Sequence, residues 1–292
     1  MSDRRRLRSN GRVAHISLDG QVEAERFTDG ETARVTASFV ALSSDARLMD
    51  RERQLVFGQG FRVLEYDEEN YSFPVAYGFC EHDGYVGYVS GWELALDTTP
   101  STHKVRVALT CLKSKPELKS PLEDLHLPLG SEVHVVDTNE QWSEISYGGG
   151  DLKLTGFLPS VHLAPIDRTE ADPVAVAERF IGTPYIWGGN SSLGIDCSGL
   201  IQAGCLACGI ACPGDSDQQQ SELGTDLPED ESLKRGDLLF WKGHVAWVVD
   251  PDTLLHANIY HMAVAYEPLQ DAIKRIEAQG DGPVTARKRL GG

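Results

Sequence analysis

The C-terminal half of the chain contains one stretch that decides its fold, residues 185–200, which read YIWGGNSSLGIDCSGL. The Gly, Ser and Asn residues of its first part predict a loop. The apolar run after it predicts a helix that begins at Cys197 or Ser198 and ends at Gly209. A cysteine in the first turn of a helix lies beside unpaired backbone N–H groups and the positive end of the helix dipole, and both favour the nucleophilic thiolate. We therefore predict a catalytic role for Cys197, against the alternative of an inert buried cysteine.

Two histidines downstream of this helix have a spacing that suits a general base and its partner. Gly243 permits a tight turn, and the apolar alternation after it predicts a strand with His244 at its start. Residues 250–252, Asp-Pro-Asp, predict a turn, so the next strand, which carries His256, would pair antiparallel with the first. This pairing would place the imidazoles side by side, one as the base and the other orienting it. A cysteine, then a histidine at the start of a strand, then a polar partner on the next strand is the order found in papain-like enzymes.

The first half of the chain repeats one pattern of short β segments. The pattern comprises a Gly turn with apolar alternation, an aromatic residue and a closing Gly-aromatic-aliphatic segment. These features occupy residues 58–64, 71 and 87–89 in the first copy and residues 130–136, 142 and 156–158 in the second. Copies that lie about 70 residues apart are too small for anything but compact β-barrels. We predict an N-terminal arm at residues 1–31 and barrels at residues 32–98 and 99–166.

A polar linker, residues 166–172, separates these barrels from a different pattern. An amphipathic helix follows Pro173, the helix at Cys197 comes next, and several strands complete the chain. Helices followed by strands, without βαβ alternation, predict an α+β domain at residues 170–292.

Composition and charge exclude several classes of protein. Asp and Glu outnumber Lys and Arg by 44 to 27, a net charge of −17 that repels nucleic-acid backbones and anionic lipid. No apolar run approaches the roughly 20 residues of a membrane-spanning helix, and residues 1–8 are basic with no apolar stretch behind them. We therefore expect a cytoplasmic protein with no nucleic-acid, membrane or obligate protein partner.

The cysteines indicate neither a disulfide scaffold nor a metal centre. Six cysteines in 292 residues are too few for such a scaffold, so reduced thiols are expected. Cys205, Cys208 and Cys212 would need a second cluster to hold structural zinc, and we interpret them as buried small hydrophobes. No metal is predicted.

Several motifs of the C-terminal half occur in an order that resembles the NlpC/P60 family of papain-like cysteine peptidases. The resemblance covers about residues 170 to 290 and rests on residues 184–189, 196–200, 235–238, 243–246 and 256–257. The two N-terminal repeats resemble bacterial SH3 domains. The implied fold is α+β, a papain-like NlpC/P60 catalytic domain preceded by two small all-β SH3-like barrels.

The resemblance implies a role for each residue of the catalytic group. Cys197 attacks the peptide carbonyl, His244 is the general base, and His256 orients it. The Cys197 backbone N–H and the hydroxyl of Tyr185 would hold the oxyanion. No cofactor is implied, because these groups suffice for acyl transfer through a thioester.

The combination of SH3 repeats with this domain resembles a narrower subgroup, the γ-D-glutamyl-L-diamino-acid endopeptidases. These cut between D-Glu and the diamino acid (diaminopimelate or Lys) of murein peptides with a free N-terminal L-Ala, which implies a role in cell-wall peptide recycling. Alternatives left open are an amidase or acyltransferase of the same fold and a wall-binding SH3 protein. The substrate-binding residues implied are Asp196, Ser198, Trp187, Ser216, Glu52 and Tyr85.

Some of these assignments have a simpler alternative. Asp196 also suits a plain helix N-cap, and Ser216 lies in a polar run that suits a solvated loop, where Gly214 replaces the subgroup's arginine. Glu52 also suits an ordinary surface position, and Tyr85 the core of the first barrel.

Overall fold

The computed structural model describes residues 3–67, 72–96, 99–120, 125–149 and 152–291. The chain divides into two compact units, Met1–Arg168 and Thr169–Gly292. Tyr71, the aromatic residue of the first predicted repeat, lies outside the described residues. Within the described ranges, no helix is long and apolar enough to cross a membrane.

The first unit is built from sixteen short strands in the described ranges. They are β1 (Val13–His15), β2 (Arg26–Thr28), β3 (Glu31–Val35), β4 (Phe39–Leu42), β5 (Arg53–Val56), β6 (Gly60–Asp67), β7 (Val75–Cys80), β8 (Val86–Ser90), β9 (Leu94–Leu96), β10 (His103–Val105), β11 (Leu109–Cys111), β12 (His126–Pro128), β13 (Glu132–Thr138), β14 (Trp142–Gly149), β15 (Leu152–Pro159) and β16 (Leu163–Pro165). Single 3-10 turns occur at Ile16–Leu18, Gly91–Glu93 and Ser160–His162.

The repeat seen in the sequence corresponds to two sheets with the same strand order. The first five-stranded sheet runs β8-β7-β6-β3-β9 and the second β15-β14-β13-β10-β16, and each is accompanied by a two-stranded sheet, β4-β5 or β11-β12. Each copy has its own apolar core, centred on residues such as Phe61 in the first and Ile145 in the second. The periodicity of the sequence therefore reflects a duplicated all-β topology.

The turn glycines of the two copies have the same backbone conformation. Gly58 has φ +77° and Gly130 has φ +85°, values at which a side chain would be strained. Gly58 is further restricted, because a Cβ there would lie 1.8 Å from the carbonyl oxygen of Glu132. The Glu132 backbone N–H also donates to Phe57 at 2.9 Å, so the two copies touch at this turn.

The predicted N-terminal arm packs on the first copy. β1 pairs with β2 in parallel, and the buried Val13 joins a cluster with Leu64, Tyr77 and Phe79. The first strand of the five-stranded sheet begins at Glu31, beside the predicted boundary.

The second unit combines four helices and eight strands in its described residues. They are α1 (Pro173–Ala177), β17 (Asn190–Ser191), β18 (Gly194–Ile195), α2 (Cys197–Ala207), α3 (Ser216–Glu222), β19 (Thr225–Asp226), β20 (Asp237–Trp241), β21 (His244–Asp250), β22 (Thr253–Asn258), β23 (Ala263–Pro268), α4 (Leu269–Gln279) and β24 (Ala286–Arg289). The main sheet has the order β19-β24-β20-β21-β22-β23 and is antiparallel throughout. The α+β prediction is confirmed.

The helix α2 lies against the centre of this sheet. Its residues Leu200, Ile201 and Cys205 are fully buried, and the indole of Trp247 on β21 donates to the Leu200 carbonyl at 3.4 Å. This packing fixes the start of α2 near the start of β21, where the predicted nucleophile and base lie.

The motif Arg235-Gly236-Asp237 anchors the same sheet to its surroundings. Arg235 donates to Asp172 at 2.8 Å, and Asp172 in turn caps α1. Asp237 accepts two hydrogen bonds from Arg289 on β24, both of 2.8 Å. This motif therefore links α1 to β20 and β20 to its neighbour β24.

Candidate active site

Cys197 is the first residue of α2, as the sequence predicts, and is 5% exposed. The backbone N–H groups of Val245, Ser198 and Cys197 itself lie near its sulfur and favour its ionised form. Since Val245 follows His244 directly, the thiol lies against the first residues of β21. The start of α2, which carries Cys197, therefore lies beside the start of β21, which carries His244.

The expectation that the helix N-terminus would favour the thiolate is wrong for the resting protein. Burial, followed by the nearby carboxylate of Asp196, raises the pKa of the Cys197 thiol to about 12, against the three backbone N–H groups that lower it. Loss of water around a charge outweighs the helix dipole here. Cys197 is therefore a thiol at neutral pH, and it needs a base at the moment of attack.

The two predicted histidines lie side by side on adjacent strands, which confirms that part of the prediction. His244 Nε2 and His256 Nδ1 are 2.9 Å apart. Burial lowers the pKa of His244 to about 3, with further contributions from His256 and Arg275. His256 is fully buried, and burial also lowers its pKa. Both imidazoles are neutral at pH 7, so His244 has a free lone pair with which to accept a proton.

Two residues that the sequence analysis missed extend this chain of contacts. His256 Nε2 lies 3.0 Å from Oε2 of Glu267 on β23. Arg275 on α4 donates to both oxygens of Glu267 at 2.8 Å. Burial opposes ionisation of Glu267, but the hydrogen bonds from Arg275 and His256 outweigh it and hold the pKa of the carboxyl at about 2.

Asp196 is the N-cap of α2, so the simpler interpretation of this residue is confirmed. Its Oδ1 accepts from the Gly199 N–H at 2.7 Å and from the Ser198 hydroxyl at 3.0 Å, and its Oδ2 accepts from the Gly188 N–H at 2.9 Å. One carboxylate thus fastens the glycine loop to the start of the helix. Contact of Asp196 and Ser198 with a substrate ammonium stays a prediction.

The loop before α2 carries the two predicted aromatic residues. The backbone N–H of Tyr185 donates to the Met262 carbonyl at 2.9 Å. Burial, followed by the charges of Cys197 and Asp196, raises the pKa of the Tyr185 hydroxyl well above its usual 10, so it stays protonated and able to donate. Trp187 is 70% exposed, which leaves its ring available to a ligand.

Ser216 is the first residue of α3 and is half-buried. Three residues on, Gln219 donates to the carbonyls of Ser198 and Pro213, both at 2.9 Å. The polar run that contains Ser216 is therefore an ordered segment bonded to the start of α2, rather than a solvated loop.

The two residues predicted from the first barrel lie in the first unit. Glu52 is paired with the guanidinium of Arg4. Tyr85 is 4% exposed and packs in the core of the first copy, with neighbours that include Leu42 and Phe61. The core interpretation of Tyr85 is confirmed, and a role for either residue in substrate binding stays a prediction.

His256, His261 and Glu267 offer possible metal-ligand atoms within 4.8 Å of one another. Both nitrogens of His256, both oxygens of Glu267 and Nδ1 of His261 already have hydrogen-bond partners. The group is better described as a hydrogen-bond network than as a metal centre.

Two family models match parts of the chain. The NlpC/P60 family matches residues 182–277, and the bacterial dipeptidyl-peptidase SH3 domain matches residues 48–93. One SH3 domain is thus found where two are expected, and the assignment of residues 99–166 rests on their strand order.

Known proteins resemble the chain to different extents. Dipeptidyl-peptidase 6 of Lysinibacillus sphaericus is 27% identical over 233 residues, which are 73% of this chain and 81% of that protein. Gamma-D-glutamyl-L-lysine dipeptidyl-peptidase of Bacillus subtilis is 37% identical over 97 residues, 30% of this chain and 32% of that protein. The crystal structure of an NlpC/P60 family protein from Bacillus cereus superposes with a TM-score of 0.72 at 18% identity, covering 89% of this chain and 99% of that one. Residues 182–277 therefore match the NlpC/P60 family, and residues 48–93, which precede them in the sequence, match a bacterial SH3 domain.

Proposed function

We propose that the protein is a cysteine endopeptidase that hydrolyses the γ-D-glutamyl-L-diamino acid bond of murein peptides with a free N-terminal L-Ala. The observation that carries the proposal is the position of Cys197 at the start of α2, beside the strand of His244, together with the 2.9 Å contact between His244 Nε2 and His256 Nδ1. The substrate is supported by two relatives, because both are named dipeptidyl-peptidases and one name specifies the gamma-D-glutamyl-L-lysine bond. The diamino acid is diaminopimelate or Lys.

The chemistry follows from the protonation states of the site. As the sulfur of Cys197 attacks the carbonyl carbon, its proton passes to His244, whose Nε2 is engaged by His256 and whose Nδ1 is therefore the free base. The Cys197 N–H and the Tyr185 hydroxyl donate to the developing oxyanion. The protonated His244 then gives its proton to the leaving amine, and water hydrolyses the thioester.

We further propose that the protein acts in the cytoplasm, in the recycling of murein peptide fragments. The proposal rests on the free L-Ala terminus of the proposed substrate, which is present only in fragments already detached from glycan. A wall-binding protein and an amidase or acyltransferase of the same fold are the competing outcomes.

Mass spectrometry of the products formed from L-Ala-γ-D-Glu-diaminopimelate tests the proposal. Its Lys analogue and its N-acetylated form are assayed beside it, with wild type and Cys197→Ala. We expect wild type to release L-Ala-D-Glu from the two free-amine peptides only, and Cys197→Ala to release none. Equal cleavage of the acetylated peptide would refute the requirement for a free amine. Absence of cleavage would favour the amidase or acyltransferase.

A further inference from the structure

Glu267 is 5% exposed, yet none of the catalytic steps described above uses it. It lies on β23 (Ala263–Pro268), which pairs with β22 (Thr253–Asn258). In this register His256 lies opposite Ala265. This register brings Glu267 Oε2 within 3.0 Å of His256 Nε2. A buried carboxylate in contact with a catalytic imidazole requires an explanation beyond packing.

We propose that Glu267, held by Arg275, is a positioning residue that fixes the tautomer of both histidines. An ionised carboxylate only accepts hydrogen bonds, so the proton of His256 must lie on Nε2. His256 Nδ1 is then an acceptor, and the 2.9 Å contact requires that His244 Nε2 donates to it. The lone pair of His244 is thereby placed on Nδ1, the only ring nitrogen left for the proton of Cys197.

Arg275 keeps Glu267 ionised and so keeps the protons of both histidines on these nitrogens. Its two hydrogen bonds, from Nε to Oε1 and from Nη2 to Oε2, occupy both oxygens of Glu267 and favour its ionised form. A protonated Glu267 would be able to donate to His256 Nε2. That would move the proton of His256 to Nδ1, turn His244 Nε2 into an acceptor and place a hydrogen on the nitrogen that must accept the thiol proton.

The inference rests on the proposed function for its rate measurement but not for its tautomers. Glu267→Gln is nearly isosteric and replaces an acceptor by a group that both accepts and donates. ¹⁵N NMR of histidine-labelled protein, without substrate, reports which ring nitrogens carry protons. We expect single tautomers for His244 and His256 in wild type, and a second population in Glu267→Gln. Glu267→Asp, which keeps an acceptor-only carboxylate, should retain the wild-type pattern.

The accompanying loss of rate should appear in kcat. We expect a fall of about 10- to 100-fold in kcat for Glu267→Gln with KM within about twofold, since proton transfer, not binding, is impaired. Glu267→Asp should lie closer to wild type. If the peptide is not cleaved by wild type, the rate of Cys197 alkylation by iodoacetamide replaces kcat, so failure of the proposed function remains distinguishable.

Glu178→Gln is the matched control. Glu178 accepts hydrogen bonds from both Nη atoms of Arg235, at 3.1 and 3.0 Å, and from the Tyr266 hydroxyl at 3.1 Å. Its replacement perturbs a similar ion pair away from the imidazoles, and it should leave the tautomers and kcat unchanged. The proposal is overturned by wild-type tautomers or a wild-type rate in folded Glu267→Gln, by an equal loss in Glu178→Gln, or by Glu267→Asp behaving as Glu267→Gln.

Discussion

Replacing Asp196 with Asn separates the structural role of this carboxylate from its electrostatic one. Asn caps helices about as well as Asp, so the acceptor for the Gly199 N–H is kept. The amide nitrogen, however, would face the Gly188 N–H, which now donates to Oδ2 at 2.9 Å. A buried donor left without an acceptor costs about 1–3 kcal/mol. We expect the free energy of unfolding to fall by that amount while the fold survives.

The same substitution should make the Cys197 thiol more reactive, although it lowers the stability of the fold. After burial, the Asp196 carboxylate is the main cause of the raised pKa of the Cys197 thiol. Its removal should lower that pKa and accelerate alkylation of Cys197 by iodoacetamide at pH 8. If Asp196 also binds the L-Ala ammonium, the lost charge-assisted contact of about 1.5–3 kcal/mol lowers kcat/KM for the free-amine peptide by about 10- to 150-fold.

Peptide mass spectrometry of Cys197 alkylation, chemical denaturation and peptide kinetics measure these effects separately. Asp172→Asn is the control, because Asp172 caps α1 through the Val174 N–H at 2.9 Å and uses its other oxygen for Arg235 at 2.8 Å. It should lose stability without faster alkylation. Unchanged or slower alkylation of Asp196→Asn would refute the electrostatic reasoning, and an unchanged kcat/KM would refute the ammonium contact.

Three further predictions address the turn, the oxyanion donor and pH. Gly130 has φ +85° and open space around it, so Gly130→Ala should lose about 1–2 kcal/mol of stability in denaturant titrations. Gly58→Ala should lose more, because its Cβ would also lie 1.8 Å from the Glu132 carbonyl oxygen. Equal losses in the two variants would contradict this. Tyr185→Phe should lower kcat by about 10²–10³-fold at unchanged melting temperature, and a wild-type kcat would exclude the hydroxyl as oxyanion donor. Because the pKa of Glu267 is held at about 2 against an ordinary 4.5, its ionisation contributes roughly 3 kcal/mol above pH 4.5, and this is lost as pH falls towards 2. The stability advantage of wild type over Glu267→Gln should shrink across that range, and a constant difference would disprove the linkage.

Local patterns in the sequence were enough to place Cys197, His244 and His256. The start of α2 at Cys197 follows from a loop that changes to an apolar helix, and the His244–His256 contact follows from two strands joined by a short turn. Both depend on residues that are close in the chain. The duplicated β topology was visible for a similar reason, since repeated turns recur at a fixed interval.

Glu267 and Arg275 were missed because no local pattern marks them. Their positions depend on which strand becomes the neighbour of β22 and on how α4 returns across the sheet. The helix α4 itself had a usable signal in the buried residues Leu269, Ala272 and Ile276, followed by Gly280 at φ +100°. The protonation of Cys197 was mispredicted because the helix position is visible in the sequence, whereas burial is not.

A thiol with a raised pKa beside a carboxylate suggests how the proposed substrate would influence its own cleavage. Asp196 raises the pKa of Cys197 only while its charge is uncompensated. An L-Ala ammonium bound to Asp196 would cancel that charge, and the thiol would then give its proton to His244 more readily.

The dipeptide L-Ala-D-Glu should therefore accelerate alkylation of Cys197 by a small reagent such as iodoacetamide in wild type, with no acceleration in Asp196→Asn. N-acetyl-L-Ala-D-Glu, which lacks the cation, is the control ligand. Simple protection of Cys197 by the free-amine dipeptide would show that occupancy of the groove outweighs the electrostatic effect, and this reasoning would fail.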